Sequence, residues 1–467
     1  MNTVGFNNMT LVNRSAFDLR NERGSALARP ATVLAAAALA LGLGGCASPM
    51  RQQDKASFQS LLDSGDYRDA ASVASAAGQI APDGQTTNVV WSLNAGSAMF
   101  DEGDMHQSVM VLDATERLAQ RNDTDGMHAA VDYHYTTYDG VMTNVYKAMA
   151  FLGQGDKDNA RVEFNRAENR QARAEQHFQA EIAAAETRHN ANADPQYGAM
   201  LAQAQQSREY QDAVNNLSAL AVYSPFENPF ATYLGSIFFL NEGDYEKGMY
   251  GLRRASQVLG ADSPATADLL WAERAHRRSG SLPPQVWVVF ENGQSATYHE
   301  LRLVLPMVTG QPMTLALPML APNAPAYPSL TIQADAVTAQ TAPAGSFDAV
   351  MASEFRRRQP LIIGEAVAEV VAKNVGSMVA KKSNNVFLQL ASTVVANVST
   401  ADTRSWLALP KEFQVARVDV PADGKLAIEG PGGAPLAQVD VPVGQPSIVW
   451  VKMQAPSAHP AVQVFKL

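Results

Sequence analysis

The pattern of hydrophobic and polar positions changes its period once along the chain. Residues 50 to about 280 carry a helical pattern, Leu282-Pro283-Pro284 closes it, and β-branched and aromatic runs follow. A single local pattern recurs within the helical region. It reads Leu61-Leu62-Asp63-Ser64-Gly65-Asp66, then Met99-Phe100-Asp101-Glu102-Gly103-Asp104, then Phe151-Leu152-Gly153-Gln154-Gly155-Asp156, and last Phe239-Leu240-Asn241-Glu242-Gly243-Asp244. Each copy has an apolar helix end, a glycine suited to a left-handed C-cap and an aspartate suited to N-cap the next helix. A small residue after the turn, such as Ala70 or Ala160, would let two helices approach closely. The pattern predicts helical hairpins.

This turn resembles the inter-helix turn of the tetratricopeptide repeat, a helical hairpin of about 34 residues that stacks into a solenoid. Gly65, Gly103, Gly155 and Gly243 are 38, 52 and 88 residues apart, so the predicted stack is irregular and carries insertions. The longest insertion, residues 159–220, reads as a projecting pair: one helix over Asn159 to about Ala193, a break at Asp194-Pro195, and a second from Gln196 to Leu220. The pair is either a solvated structural hairpin or an arm on which a partner docks. The loop Tyr223 to Phe230 follows, with two prolines and three aromatics. Tyr223, Phe226 and Phe230 are candidate partner-binding residues lining a groove, or else rings packed between helices.

Beyond Pro284, Gln285 to Phe290 predicts a strand, Asn292-Gly293 a tight turn and Tyr298 to Leu305 the returning strand. Val415 to Val420, Lys425 to Glu429, Leu436 to Val441 and Ser447 to Met453 read as further strands. Between them Phe347 to Arg358 and Leu361 to Lys382 have helical spacing, with Glu365, Glu369 and Lys373 interrupting the apolar face. The predicted fold is α+β. An irregular tetratricopeptide-like α-helical solenoid (46–280, long hairpin at 159–220) is followed by a small antiparallel β-rich, sandwich-like domain (281–467) with a helical insert at 347–400. Arg356-Arg357-Arg358 with Lys381-Lys382 is the one basic concentration, either a solvated face or a surface for anionic headgroups or an acidic partner.

Charge narrows the partners. The 467 residues include 36 basic and 46 acidic side chains, a net charge of −10, which argues against nucleic acid because its phosphates need clustered cations. The sole cysteine excludes an internal disulfide and a cysteine-held metal. It stands where a processing signal would put it. Arg14, Arg20, Arg23 and Arg29 precede an uncharged run from Ala31 to Leu43, which ends in Gly44-Gly45-Cys46. That run is shorter than the ~20 residues that span a bilayer, and its order is that of a secretory signal. The glycines before Cys46 resemble the bacterial lipobox. The resemblance implies residues 1–45 as signal peptide, cleavage between Gly45 and Cys46, and lipidation of the Cys46 thiol. Ala47, rather than aspartate, resembles lipoproteins sorted to the outer membrane.

Motifs for catalysis are few. The histidines at 106, 128, 134, 177, 189, 276, 299 and 459 form no His-Glu-x-x-His pattern, and no Gly-x-Ser-x-Gly or phosphate-binding glycine loop occurs. Carboxylates such as Glu227 or Asp402 do not stand out from the background. No catalytic residue, metal or cofactor is assigned.

Three stretches carry a wider resemblance: Asn228-Pro229-Phe230-Ala231-Thr232-Tyr233-Leu234, Val289-Phe290-Glu291-Asn292-Gly293, and Ala401-Asp402-Thr403-Arg404-Ser405-Trp406-Leu407-Ala408-Leu409-Pro410. With them the mature chain is similar to a family of uncharacterised proteobacterial lipoproteins with tetratricopeptide-like helices. Some members are encoded near lipoprotein activators of peptidoglycan synthases, which implies envelope assembly. Within the third stretch, a buried Arg404 held by Asp402 and stacked on Trp406 is expected to lock the helical insert to the next strand. The expected function is a non-enzymatic protein-interaction scaffold, lipid-anchored on the periplasmic side of the outer membrane and binding an envelope protein. A cell-wall-modifying enzyme, and an accessory subunit of a secretion or surface-polymer apparatus, are the alternatives.

Overall fold

The recurring glycine–aspartate motif builds the hairpins that its chemistry predicts. The computed structural model describes residues 50–124, 133–190, 195–305, 313–381 and 400–467. In it α1 (Gln52–Ser64) and α2 (Tyr67–Gly78) form the first hairpin, and α3 (Val89–Glu102) and α4 (Met105–Thr124) the second. α5 (Thr137–Gly153) and α6 (Lys157–Asn190) form the third. After α7 (Pro195–Gln206) and α8 (Arg208–Leu220) comes a fourth, α9 (Pro229–Asn241) with α10 (Tyr245–Leu259), and then α11 (Pro264–Ser279).

At all four turns the glycine has φ between 76° and 97°. The following aspartate N–H reaches back across the turn, from Asp66 to Leu61, Asp104 to Met99, Asp156 to Phe151 and Asp244 to Phe239, at 2.8–2.9 Å. This closes the helix end through backbone carbonyls that would otherwise lack donors. Asp104, Asp156 and Asp244 then accept from the N–H three residues on. Asp66 instead accepts from Ser64 Oγ. The small residue five positions after each glycine is Ala70, Ser108, Ala160 or Gly248, and all four are buried.

The strands are β1 (Gln285–Asn292), β2 (Thr297–Leu305), β3 (Met313–Ala321), β4 (Thr331–Ala334), β5 (Val337–Gln340) and β6 (Ala342–Ser346). After α12 (Phe347–Lys381) come β7 (Glu412–Asp419), β8 (Lys425–Glu429), β9 (Pro435–Asp440), β10 (Ser447–Met453) and β11 (Ala461–Lys466). They form a five-stranded sheet in the order β11-β10-β1-β7-β6, a four-stranded sheet β5-β4-β8-β9 and a ribbon β2-β3. The fold is thus mixed α and β, and every described strand pair is antiparallel except β1 with β10.

The expected hairpin of β1 with β2 does not form. Asn292 Oδ1 accepts from the N–H groups of Ala326 and Tyr327, so the residue pins a distant loop. Gly293 donates to Met453 O. β1 pairs with β7 and β10, whereas β2 pairs with β3.

β1 is buried along its whole length because both faces are covered. Val286, Val288 and Phe290 meet Val449 and Val451, and the residues Ile332, Leu426 and Ile428 of the smaller sheet. Trp287 and Val289 on the other face share a core with Phe100, Tyr146 and Phe238 of the helices and with Phe413, Trp450 and Phe465 of the sheet. The change of period near residue 281 is therefore not a boundary in packing, and residues 48–467 form one compact unit.

The long insertion also differs from a solvated pair. Its second half is two helices, because Ser207 ends one and caps the other. Met200, Ala204 and Tyr210 are buried against Leu303 and Leu315 of the ribbon and Ile363 and Val367 of α12. α12 is one helix that runs through Pro360, where two helices were expected. The proline lacks the N–H that would bond to the carbonyl of Arg356, and both residues are exposed. Residues 382–399, which include Lys382 and the rest of the predicted insert, lie outside the described residues.

The sequence pattern does not predict β11. Around it the hairpin turns find their place: His459 donates to Ser64 O, Gly103 lies against Gln463, and Gly153 against Phe465. Helix ends thereby lie over the helix-facing side of β11, which is an edge strand of its sheet among the described residues.

Candidate functional site

The three aromatic residues that could line a groove or pack between helices are packed within the fold, Tyr223 only half-buried. Phe230 is buried against Phe413 and Trp450. Phe226, with φ 65°, is buried against Phe178. Tyr223 is half-buried, its hydroxyl accepting from Ser346 N and its N–H donating to Ser353 Oγ. The chain turns at Phe226 so that Asn228 can cap α9: its Oδ1 accepts from Ala231 N, with Pro229 in the first turn.

Asp402 and Arg404 form a bidentate pair at 2.7 and 2.8 Å, as expected, with Arg404 partly buried and Asp402 exposed. The ring facing the guanidinium is Tyr133, at 6.0 Å, not Trp406. Trp406 is buried elsewhere, donating through Nε1 to Ser97 Oγ and packing against Tyr146. The basic run is largely spent on α6: Arg357 pairs with Glu175 and Arg358 with Glu181, both over the Phe178 ring. Gly45 and Cys46 lie outside the described residues.

The densest chemistry is where the helices meet the five-stranded sheet. Glu291 and Lys452 are register partners on the parallel strands β1 and β10, and both point at the helical layer. Asp101, from the last turn of α3, comes down on them. Lys452 Nζ stands 2.8 Å from Asp101 Oδ2, 3.2 Å from Glu291 Oε2 and 2.6 Å from Ala408 O. Tyr146 donates to Glu291 Oε1 at 2.7 Å, and Tyr67 donates to Lys452 O. Side chains of Lys452, Asp101 and Glu291 are at most 1% exposed. Burial pushes the Asp101 carboxyl up, to about 7, against the pull of Lys452, and Glu291 adds to the rise.

Two neighbours complete this junction. Asn94 Oδ1 on α3 accepts from Leu407 N and Ala408 N, which fixes the carbonyl that Lys452 uses. Asp268 on α11 pairs with Arg417 of β7 at 2.7 Å while also accepting from Tyr233 and Trp287. The three stretches singled out in the sequence converge here through Phe230 and Tyr233, Glu291, and Ala408. Sequence reasoning missed Asp101, Glu291 and Lys452 as a group. Its signal was a lone charge inside each of two apolar strands.

A second buried network joins α4, α5 and α6. Lys147 Nζ lies 2.6, 2.9 and 3.0 Å from Asp113, Glu116 and Glu163, and Arg170 pairs with Glu116. A third surrounds the start of α5. Glu354 accepts from the N–H groups of Thr137 and Tyr138. Asp139 closes a capping box with Thr136 and accepts from Tyr133.

Two cavities lie away from these groups or only touch them. One of about 220 Å³ runs between the first turn of α11 and the residues Gln340, Ala342 and Val415, with Asp268 and Arg417 in its wall. The other, of about 400 Å³, is lined by Arg51, Asp54, Val73, Ala77 and Trp91. Among the described residues no cluster of His, Cys, Asp and Glu is placed to hold a metal ion, and no helix is long and apolar enough to cross a membrane. The ionic groups at the helix–sheet junction can hold layers together and can exchange a proton. Comparison with protein-family models, with curated proteins and with solved structures finds no match to this chain.

Proposed function

We propose that this chain is a lipid-anchored scaffold of the bacterial envelope, held by Cys46 on the periplasmic side of the outer membrane and binding an envelope protein. The single observation that carries the reading is the setting of Cys46: the sole cysteine, directly after Gly44-Gly45, at the end of an uncharged run preceded by arginines. Five residues, Ala47 to Arg51, separate it from the first helix, a reach of at most about 20 Å. An acylated Cys46 would hold the folded body close to the lipid.

The hairpins support a scaffold. We read α1 to α6 and α9 to α11 as an irregular, tetratricopeptide-like stack, in which each glycine–aspartate turn returns the chain onto the preceding helix. Such stacks offer extended surfaces to proteins. The five-stranded sheet meets α2, α3, α5 and α9 through Tyr67, Phe100, Tyr146 and Phe230.

The test is fractionation of cells producing the wild-type protein or Cys46→Ala, with mass analysis of the mature N-terminus. Recovery of wild type in membranes with an acylated cysteine, and release of the variant, is the expected outcome. A variant that stays in the membrane overturns the anchor. In-cell crosslinking of the anchored protein then tests the scaffold, and recovery of the protein alone counts against it.

A further inference from the structure

We propose that Asp101, Glu291 and Lys452 form a proton-dependent clasp between the helical layer and the five-stranded sheet, closed when the two carboxylates share one proton and weakened when that proton leaves.

The charge count is the first ground. All three groups are out of contact with water, and one ammonium faces two carboxylates. Lys452 donates a hydrogen bond to the Ala408 carbonyl and stands at ion-pair distance, 2.8 and 3.2 Å, from Asp101 Oδ2 and Glu291 Oε2. Neither carboxylate oxygen of Asp101, nor Oε2 of Glu291, has a hydrogen-bond donor among the described residues. The other titratable groups facing the site, Tyr67 from α2 and Tyr146 from α5, are phenols that burial keeps protonated, so neither supplies a second positive charge. Gln463 of β11 donates only to the Asp101 backbone carbonyl. The nearest guanidinium on α2, that of Arg68, is a surface group paired with Glu102. With both carboxylates ionised the enclosed group carries one uncompensated negative charge, a costly state in a low dielectric. A proton on Asp101 removes it.

Position is the second ground. Asp101 ends α3, while Glu291 and Lys452 are paired on the two central strands. The excess charge therefore appears across the contact between layers, not within one of them. The sign follows from linkage. A carboxyl whose folded affinity for a proton exceeds its unfolded affinity stabilises the fold below the folded pKa, and loses that contribution as the pH rises.

The experiment is thermal unfolding of the full chain at about pH 5.5 and about pH 8.5, with Asp101→Asn and Glu291→Gln, each of which leaves one carboxylate for one lysine. The wild type should melt at least about 3 °C lower at the higher pH. Either variant should lose a large part of that difference, and full retention of it by both overturns the proposal. If neither variant folds, hydrogen exchange of the wild type decides. After correction for intrinsic rates, amides of β10 and of the last turn of α3 should lose protection at the higher pH relative to those of β8. Unchanged relative protection overturns the clasp.

Discussion

The ring of Phe230 lies flat on that of Phe413, centroid to centroid at 3.6 Å with planes 3° apart. One belongs to the first turn of α9 and the other to β7, so the stack is a contact between layers. Trp450 of β10 closes it from the side. Replacing Phe230 by alanine empties a site with no neighbour free to collapse into it. Urea unfolding of Phe230→Ala should show a loss of about 3–5 kcal/mol. A loss below about 1 kcal/mol would mean that the ring is not part of the core.

Lys147 offers a sharper electrostatic test. Its side chain is 0% exposed among three carboxylates. Burial opposes ionisation of Asp113 and Glu116, yet the ammonium beside them holds both below the usual carboxylate range. Lys147→Met should cost roughly 3–5 kcal/mol at neutral pH, because Asp113, Glu116 and Glu163 lose the one cation they share and keep only the arginines at their rim, Arg117, Arg170 and Arg166. The deficit should shrink in acid, where the carboxylates take up protons. A deficit independent of pH would make it a packing effect.

Asp139 gives the fold a second proton-linked group, distinct from the clasp. Burial raises its carboxyl to about 7, although Thr136 and Tyr133 hydrogen-bond it. The unfolded side chain titrates near its ordinary value, so its folded form holds a proton that the unfolded chain releases. Stability should fall as the pH rises from about 4 to about 8, by roughly 2–4 kcal/mol for this group. Asp139→Asn should flatten that portion of a pH series of urea unfolding curves, and an unchanged slope would refute the assignment.

The hairpin turns separate conformational cost from contact cost. Gly65 and Gly155 have similar left-handed backbones, at φ 82° and 76°. A Cβ on Gly155 meets open space, whereas one on Gly65 meets the backbone of His459. Gly155→Ala should cost about 1–2 kcal/mol. Gly65→Ala should cost at least about 1 kcal/mol more, since backbone atoms must move. Equal losses by thermal unfolding would show that the first turn does not bear on the 457–459 loop.

The hairpins were legible because everything that makes them is local. Glycine, aspartate and the small residue fall within six positions of one another, and no distant partner is needed. The β1–β2 hairpin failed for the opposite reason. Asn292-Gly293 has the composition of a tight turn, but Asn292 is claimed by the backbone at 326–327. Arg404 illustrates the same limit: its carboxylate partner was two residues away and readable, while its ring, Tyr133, was not. The clasp needs residues 101, 291 and 452 together, and no window of sequence contains them. What the sequence did hold was Lys452 in the run Ser447–Met453, and Glu291 in the run Gln285–Asn292. A strand covered on both faces has no solvent side for a charge, so either residue implied a buried partner.

The parallel pairing of β1 with β10 has a consequence for how the molecule is made. A ribosome that has reached residue 440 has delivered every described helix, yet the central strand still lacks one neighbour. Trp450 and Lys452, against which Phe100, Phe230 and Asp101 rest, come later, and β11 later again. The shared core is therefore assembled from contacts of very long sequence separation, which slows folding and leaves the nascent polypeptide open until β10 and β11 have been made. If the chain is exported unfolded through a translocation channel, as proposed, that delay would be an advantage: it would stay pliable in transit and shut only when β10 and β11 arrive on the far side.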